Sequence, residues 1–410
     1  MTYIKGFHCT LCDKEYEPDE NLFTCPSCGQ KGILEVDLDY NRMKKIIDRK
    51  YFEENKDLSM FRYKPFLSVD IPDSDEYLRV GWTPLYKARK SGKILGLSNL
   101  FFKDDGINPT ASLKDRASAV AVAGAISNKK KTIACSSTGN AASSLAGNAA
   151  RMGLKTVIFV PERAPEGKLA QLLLFGARVI VVKGDYSDAF NLSSEAIERW
   201  GWYNRNAAIN PHLVEGKKTV ALEIAEQMNW KLPDWVTVSV GDGCTVAGVY
   251  KGFYDLLQLG ITDRIPRILG VQSDGCSPFV NSYVNKEPLK PAEENTIADS
   301  ISVGIPRNPI KALNAVEKSK GAWVAVSDHH ILKAMSQLGR QEGIFAEPAG
   351  ATGYAGIEAA LDMGIISSDE SVCAIVTGNG LKDVKNVMKA AGEPVYMEPD
   401  IKELEKHMDV

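Results

Sequence analysis

Asn108-Pro109-Thr110-Ala111-Ser112-Leu113-Lys114-Asp115-Arg116 places one lysine at the mouth of a helix, directly after a turn whose geometry Pro109 fixes. Ser112 is expected to cap that helix, and the Ala and Val residues from Ala117 to Ala125 give it a small, buriable face. Lys114 then stands beside the positive end of a helix, where a phosphorylated anion is also drawn. A lysine held there can form a Schiff base with an aldehyde. Taken alone, the same run also reads as a surface lysine in a capped first turn.

Two further turns repeat the logic. Thr132 to Cys135 is an apolar run that passes through Ser136-Ser137-Thr138-Gly139-Asn140-Ala141 into an Ala-rich helix reaching Met152. Gly139 lets a ligand approach the backbone, and the free amides of the helix start can hold a carboxylate. Trp235 to Val240 is followed by Gly241-Asp242-Gly243-Cys244-Thr245, whose amides and Thr245 hydroxyl suit a phosphate. Asp242 is awkward there, and is expected to point outward or to cap the following helix. One glycine turn of this kind is explained by packing; three in one chain, carrying Lys, Ser/Thr/Asn and Gly-x-Gly, are not.

With these motifs the chain resembles the threonine synthase branch of the fold type II pyridoxal phosphate enzymes. Gly81-Trp82-Thr83-Pro84-Leu85, the Lys114 run, Ser136 to Asn140, Asn210-Pro211-His212 with Glu215-Gly216, Glu347-Pro348-Ala349, and Thr377 to Asp383 follow that family's order. The resemblance implies that Lys114 carries the cofactor pyridoxal 5'-phosphate and is the catalytic base. It implies that Asn140 lies beside the cofactor's phenolic oxygen, and that Ser137, Thr138, Gly139 and Asn140 receive the substrate carboxylate. Gly241, Asp242, Gly243, Cys244 and Thr245 would hold the phosphate, and Thr377 would meet the pyridine nitrogen. A hydroxyl at that nitrogen leaves the ring neutral and tempers the electron sink, which suits elimination and replacement. The implied reaction takes O-phosphohomoserine and water to threonine and phosphate.

The chain departs from the family pattern at Ala141, Ala207, Ala208 and Leu213, where polar residues, an arginine among them, would grip a phosphate ester. Losing a charge-assisted contact costs roughly 1.5 to 3 kcal/mol. Asn206 in a shifted register, or Arg205, Arg163, Lys168 or Lys217, are candidate replacements. Three readings stand: a threonine synthase with a rearranged phosphate grip, a related lyase of the dehydratase or ammonia-lyase type acting on an unphosphorylated amino acid, and a non-catalytic zinc-ribbon binding protein built on a retired enzyme.

The zinc ribbon is read from Cys9-x-x-Cys12, twelve residues, and Cys25-x-x-Cys28, two thiolate pairs that form a tetrahedral zinc set. A disulfide pair and a metal-free knuckle are the alternatives; a reducing compartment disfavours the first. Zinc would be structural, since about 35 residues cannot bury enough apolar surface to fold alone. His8 reads as a bystander, Cys135, Cys244, Cys276 and Cys373 as small core residues, and His212, His329, His330 and His407 show no ligand spacing.

The remainder predicts an α/β protein of two lobes, open parallel sheets covered by helices in the tryptophan synthase β-like arrangement of fold type II. Strands are expected at 100–103, 132–135, 156–160, 178–183, 236–240, 268–272, 323–326 and 372–376, separated by helices. The expected division is 1–36 zinc ribbon, 37–76 helical arm and linker, 77–110 and 205–410 larger cofactor-binding lobe, and 111–204 smaller mobile lobe. Within the arm, Tyr40 to Lys56 reads as one charged helix and Leu58 to Asp75 as an extended connection. The chain of 410 residues is 44% hydrophobic and carries a net charge of −3, which gives no electrostatic case for nucleic acid or membrane partners. No apolar stretch reaches membrane length, and Met1 to Gly6 lacks a signal-peptide core, so a cytoplasmic enzyme is expected. Its partners are expected to be a small amino-acid substrate and, by the resemblance, a second copy in a homodimer.

Overall fold

The computed structural model describes residues 2–408 apart from 20, 73, 163–165, 185 and 407, and of 74 and 166–168 the backbone alone. In chain order its strands are β1 (Ile4–Cys9), β2 (Glu15–Tyr16), β3 (Leu34–Leu38), β4 (Leu85–Lys87), β5 (Leu100–Asp104), β6 (Thr132–Ser136) and β7 (Lys155–Pro161). There follow β8 (Arg178–Val182), β9 (Tyr203–Asn204), β10 (Trp235–Ser239), β11 (Arg267–Ser273), β12 (Ala322–Val326) and β13 (Val372–Val376). They form three sheets with orders β2-β1-β3, β12-β11-β10-β13-β5-β4 and β8-β7-β6-β9. The first is antiparallel; the larger one is parallel except for β4 at its edge, and the four-stranded one is parallel throughout.

The burial patterns explain these choices. Strands β10 and β13 are buried at every position, as parallel strands covered on both faces must be. Strand β3 alternates, with Leu34, Val36 and Leu38 inward and Glu35 and Asp37 half-buried, so one face of the small sheet joins the core of the main body. Among the described residues no helix is long and apolar enough to cross a membrane.

Two expectations for the arm are corrected. The stretch from Tyr40 to Lys56 is two short helices, Tyr40–Met43 and Arg49–Glu54, because Asp48 accepts the Tyr51 N–H and starts a second helix as Asp39 starts the first. The connection after Leu58 is not simply extended: Met60–Phe66 forms two 3-10 turns across a kink at Tyr63 and buries Met60, Phe61, Arg62, Tyr63 and Phe66.

The helix Lys114–Ser127 is buried from Asp115 to Ala125 rather than on one face. Its small residues let the helix His212–Gln227 approach so closely that a Cβ on Gly216 would lie 2.3 Å from the Arg116 carbonyl oxygen. At the crossing, Arg116 lies fully buried between two carboxylates. Its Nε donates to Asp105 Oδ2 at 2.6 Å and its Nη1 to Glu223 Oε1 at 2.5 Å. Lys103 Nζ reaches Glu223 Oε2 at 2.6 Å, and the Thr83 hydroxyl donates to Asp105 at 2.7 Å. Burial alone would raise the Glu223 pKa, but Arg116 and Lys103 overcome it and hold the group at about 2.

Removing one member of such a cluster leaves an uncompensated buried charge. Arg116→Ala is therefore expected to lower stability by about 3–5 kcal/mol, read as a shift of the urea midpoint, whereas the exposed pair Lys333–Glu358 is expected to give under ~1 kcal/mol on the same test.

Candidate active site

Lys114 is the first residue of its helix, and the loop before it is stitched to the turn after β13. Leu113 N–H donates to the Thr377 carbonyl at 2.9 Å, and Asn379 N–H donates to the Ala111 carbonyl at 3.1 Å. Ala111 is held in the left-handed region, φ 66°. The expected Ser112 cap is not formed: Leu113 occupies the N-cap position in helical conformation, without a side-chain cap. Asp115 does the tying instead. Its carboxylate reaches back to Thr110 N–H and Oγ1, both at 2.8 Å, and takes a third donor from Asn148.

The Lys114 amine is half-buried and makes no hydrogen bond or ion pair among the described residues. Burial, and then the nearby cations Lys217 and Arg205, lower its pKa to about 8. A lysine near neutrality is a nucleophile and a base, unlike an ordinary surface ammonium.

Strand β6 delivers the second turn. Gly139 is extended at the N-cap of the helix Asn140–Arg151, and the space where its Cβ would lie is open. Thr138, Gly139 and Asn140 line a cleft with Ser300, Glu347 and Lys382. Ser137 does not line it; its hydroxyl accepts the Gly139 N–H at 3.2 Å. Asn140 Nδ2 donates to Glu347 Oε1 at 2.7 Å.

Strand β10 delivers the third. Gly243 has φ 86°, and a Cβ there would lie 2.7 Å from the Ala312 Cβ, so the turn tolerates only glycine. It opens the helix Cys244–Leu259. Asp242 neither caps that helix nor stands unpaired: its Oδ1 accepts the Arg307 N–H at 3.2 Å, with the Arg307 guanidinium 3.9 Å away. The repulsion expected between Asp242 and a phosphate is thereby softened.

A single cleft collects Lys114, Asn140, Gly241, Asp242, Gly243, Cys244, Thr245 and Thr377, together with Ala207, Lys217, Ser300 and Glu347. Glu347 was legible only as part of a motif. It is buried at the start of the helix Pro348–Asp362, and burial raises its carboxyl to about 7 despite the Asn140 amide and the Lys114 charge. Nothing in its sequence neighbourhood signals that the fold carries it to Asn140, 207 residues away.

Of the four apolar departures, only Ala207 lines the cleft. Ala208 packs with Ile33, Val214, Cys244 and Ala247, and Leu213 lies in the apolar core with Ala117 and Val120. Asn206 is occupied structurally, its Oδ1 accepting the Ser136 N–H at 2.8 Å. Arg205 is buried, with Nε and Nη2 donating to Ser118 Oγ. Arg163 and the Lys168 side chain lie outside the described residues, as does His407.

At the N-terminus the thiols of Cys9, Cys12, Cys25 and Cys28 lie within 4.8 Å of one another, a set able to hold one metal ion. His8 is not among them; its Nδ1 meets Asp37 at 2.8 Å. Cys135, Cys244, Cys276 and Cys373 are buried and free.

The family model described as "Pyridoxal-phosphate dependent enzyme" matches residues 77–378. The chain is 38% identical to a threonine synthase of Methanocaldococcus jannaschii, over 97% of this chain and 98% of that one. It is 37% identical to a threonine synthase of Methanosarcina acetivorans, over 96% of each. Among solved structures it is similar to diaminopropionate ammonia lyase from Escherichia coli, with TM-score 0.68, 20% identity and coverage of 84% of this chain and 96% of that one. It is likewise similar to the processed form of threonine deaminase isoform 2 from Solanum lycopersicum, with TM-score 0.67, 23% identity and coverage of 81% and 92%.

The raised Glu347 carboxyl has a sign that can be measured. The folded protein holds that proton to about pH 7, against an ordinary value of 4.5, so the contribution is fully present below 4.5 and lost as pH rises through about 7. Glu347→Gln is expected to flatten the decline of the urea midpoint across that window; an unchanged slope would place the titration elsewhere.

Proposed function

The chain belongs to the threonine synthase family of pyridoxal-phosphate dependent enzymes, and on that premise we propose that it converts O-phosphohomoserine and water to threonine and phosphate with Lys114 as the cofactor-bearing lysine and proton carrier. The observation that carries this reading is the Lys114 amine, lowered to about pKa 8 and unpaired among the described residues, in one cleft with Asn140, the Gly241–Thr245 turn and Thr377. These residues fit pyridoxal 5'-phosphate. An aldehyde needs the free amine, and a phosphate needs the amides of the turn that Gly243, packed against Ala312 and Asn308, holds in the left-handed conformation.

The cofactor supplies a sink for the negative charge that develops on the substrate's α carbon. Lys114, neutral in part near pH 8, takes the α proton and then a β proton as phosphate leaves the γ carbon; the γ carbon takes up a proton, the hydroxyl of water adds at the β carbon, and a proton returns to the α carbon. Thr138, Gly139 and Asn140 are proposed to hold the substrate carboxylate at the helix start, with Ser137 shaping the turn from behind. Asn140, fixed by Glu347, would meet the phenolic oxygen, and Thr377 the ring nitrogen. The segment 111–204, which carries the smaller sheet, would close on the body formed by 77–110 and 205–410 and exclude water until phosphate has gone. Ala207 on the cleft wall is the observation that favours the second reading, elimination from an unphosphorylated amino acid.

Residues 1–36 are proposed to bind one structural zinc ion through Cys9, Cys12, Cys25 and Cys28, and 37–76 to form the arm that joins them to the body. The free cysteines suit a reducing cytoplasm, and a homodimer is the proposed assembly.

Incubation with O-phosphohomoserine is expected to release phosphate and threonine in equal amounts, and Lys114→Ala to abolish both. Ammonia released from threonine or serine, with no phosphate from O-phosphohomoserine, would move the assignment to the second reading. For the metal, elemental analysis is expected to find one zinc per chain, lost in Cys25→Ser with a lowered melting temperature; wild-type protein that is zinc-free yet equally stable would dismiss the ribbon assignment.

A further inference from the structure

Among the described residues, buried lysines and arginines follow a rule with two exceptions. Arg62, Lys103, Arg116, Lys218, Lys251 and Lys311 are all buried and each reaches a carboxylate. Lys217 and Arg205 are buried to the same degree, at 2% and 1% exposure, and neither has a carboxylate partner among the described residues. Arg205 at least donates to Ser118 Oγ; Lys217 has no hydrogen bond among the described residues.

An isolated buried ammonium is costly, and proteins either pair it or neutralise it. Lys217 is not tucked into an apolar core. It lines the catalytic cleft with Lys114, Ala207, Cys244 and Thr245. Its neighbour Lys218, on the same helix, shows the ordinary solution: Nζ lies 2.5 Å from Glu215 and 2.6 Å from Asp255. Asp242, a carboxylate on the same cleft, is engaged by Arg307 at its N–H and guanidinium, so an anion entering the cleft would give Lys217 the partner that the chain does not.

We propose that Lys217 grips the phosphate of the substrate ester, with the buried Arg205 charge behind it. This rests on the reading of the chain as acting on O-phosphohomoserine. The amides of the Gly241–Thr245 turn already offer one phosphate a helix N-terminus, whereas Lys217 comes from a different helix, on the wall that carries Ala207. It also lies one helical turn beyond Leu213, the position where the sequence lacks an arginine. Leu213 is committed to the apolar core, so the positive charge reaches the cleft from 217 instead.

The test compares wild-type, Lys217→Gln and Lys217→Arg holoenzymes. Three readouts are taken: KM and kcat for O-phosphohomoserine by phosphate release, the dissociation constant for pyridoxal 5'-phosphate, and the cofactor's spectral response to unphosphorylated 2-aminobutyrate. Lys217→Gln is expected to raise KM about 10- to 100-fold with cofactor affinity and the 2-aminobutyrate response retained, and Lys217→Arg to recover most of the loss. An intact 2-aminobutyrate response shows that the variant is folded and its cleft assembled. Wild-type turnover with an unchanged KM in Lys217→Gln overturns the inference alone. A loss of cofactor affinity that parallels the KM change assigns the cation to the cofactor's phosphate and overturns the substrate assignment. Wild-type enzyme that releases no phosphate at all refutes the functional reading, not merely the residue.

Discussion

The cleft is built on one buried charge cluster. Arg116 stands two residues from Lys114 and bridges Asp105, after β5, to Glu223, on the helix His212–Gln227. Lys103 adds a second cation to Glu223, and Thr83 joins Asp105. The stretch from Thr83 to Arg116 is thereby locked to a helix at Glu223, 107 residues beyond Arg116, and that point fixes where Lys114 emerges. Burying so much charge costs more than an apolar contact of the same size, and its return is uniqueness of geometry. A reacting amine must be placed to within a fraction of an ångström, and the cluster restrains the first turn of its helix from below while Asp115 restrains it from the side.

Charge pairing divides the buried and half-buried cations into two groups. Where the fold needs a lysine or arginine, it supplies a carboxylate: Glu223 for Lys103 and Arg116, Glu35 for Lys251 and Lys311. Glu35 is held at about pKa 2 by those two lysines against the opposing effect of burial. Around Lys114 the provision stops. Lys114, Lys217 and Arg205 sit near one another with no carboxylate paired to them among the described residues; of the two acids that line the cleft, Asp242 is engaged by Arg307 and Glu347 is half protonated at about pH 7. The cleft thus holds an excess of positive charge that an anionic cofactor and substrate would complete.

Much of this was legible in sequence, and what was legible has a common character. The three turns carry their chemistry in contiguous residues, and Lys114, Asn140, Gly241 to Thr245 and Thr377 do share one cleft. Unbroken apolar runs such as Val372 to Val376 announce buried parallel strands without help. Failures came where a choice depends on distant partners. Ser112 is a good capping residue by type, yet its hydroxyl is buried and unpaired while Asp115 secures the turn. Ser137 serves the turn and not the cleft lining, and Glu347 reaches Asn140 only through the packing of two sheets. Lys217 and Lys218 are indistinguishable as letters; one is paired and one is not.

The apolar departures at positions 208 and 213 also belong to packing and not to substrate choice. Gly32 closes the cysteine module, a Cβ on it lying 2.6 Å and 2.7 Å from the Cβ atoms of Cys25 and Cys28. The next residue, Ile33, packs on Ala208, Val214 and Cys244 directly behind the cleft. Phe7 and Phe23 of the same module stack edge-on against His212, whose Nδ1 is fixed by Ser68. A polar side chain at 208 would be buried under Ile33 without a partner, at a cost of about 1–3 kcal/mol. An arginine at 213 would be buried beside Ala117 and Val120 on the opposite side. With the N-terminal module covering the outer wall, those two positions are closed to polar chemistry, and a cation able to meet an anion must come from a position that still faces inward. On the helix His212–Gln227 that position is Lys217.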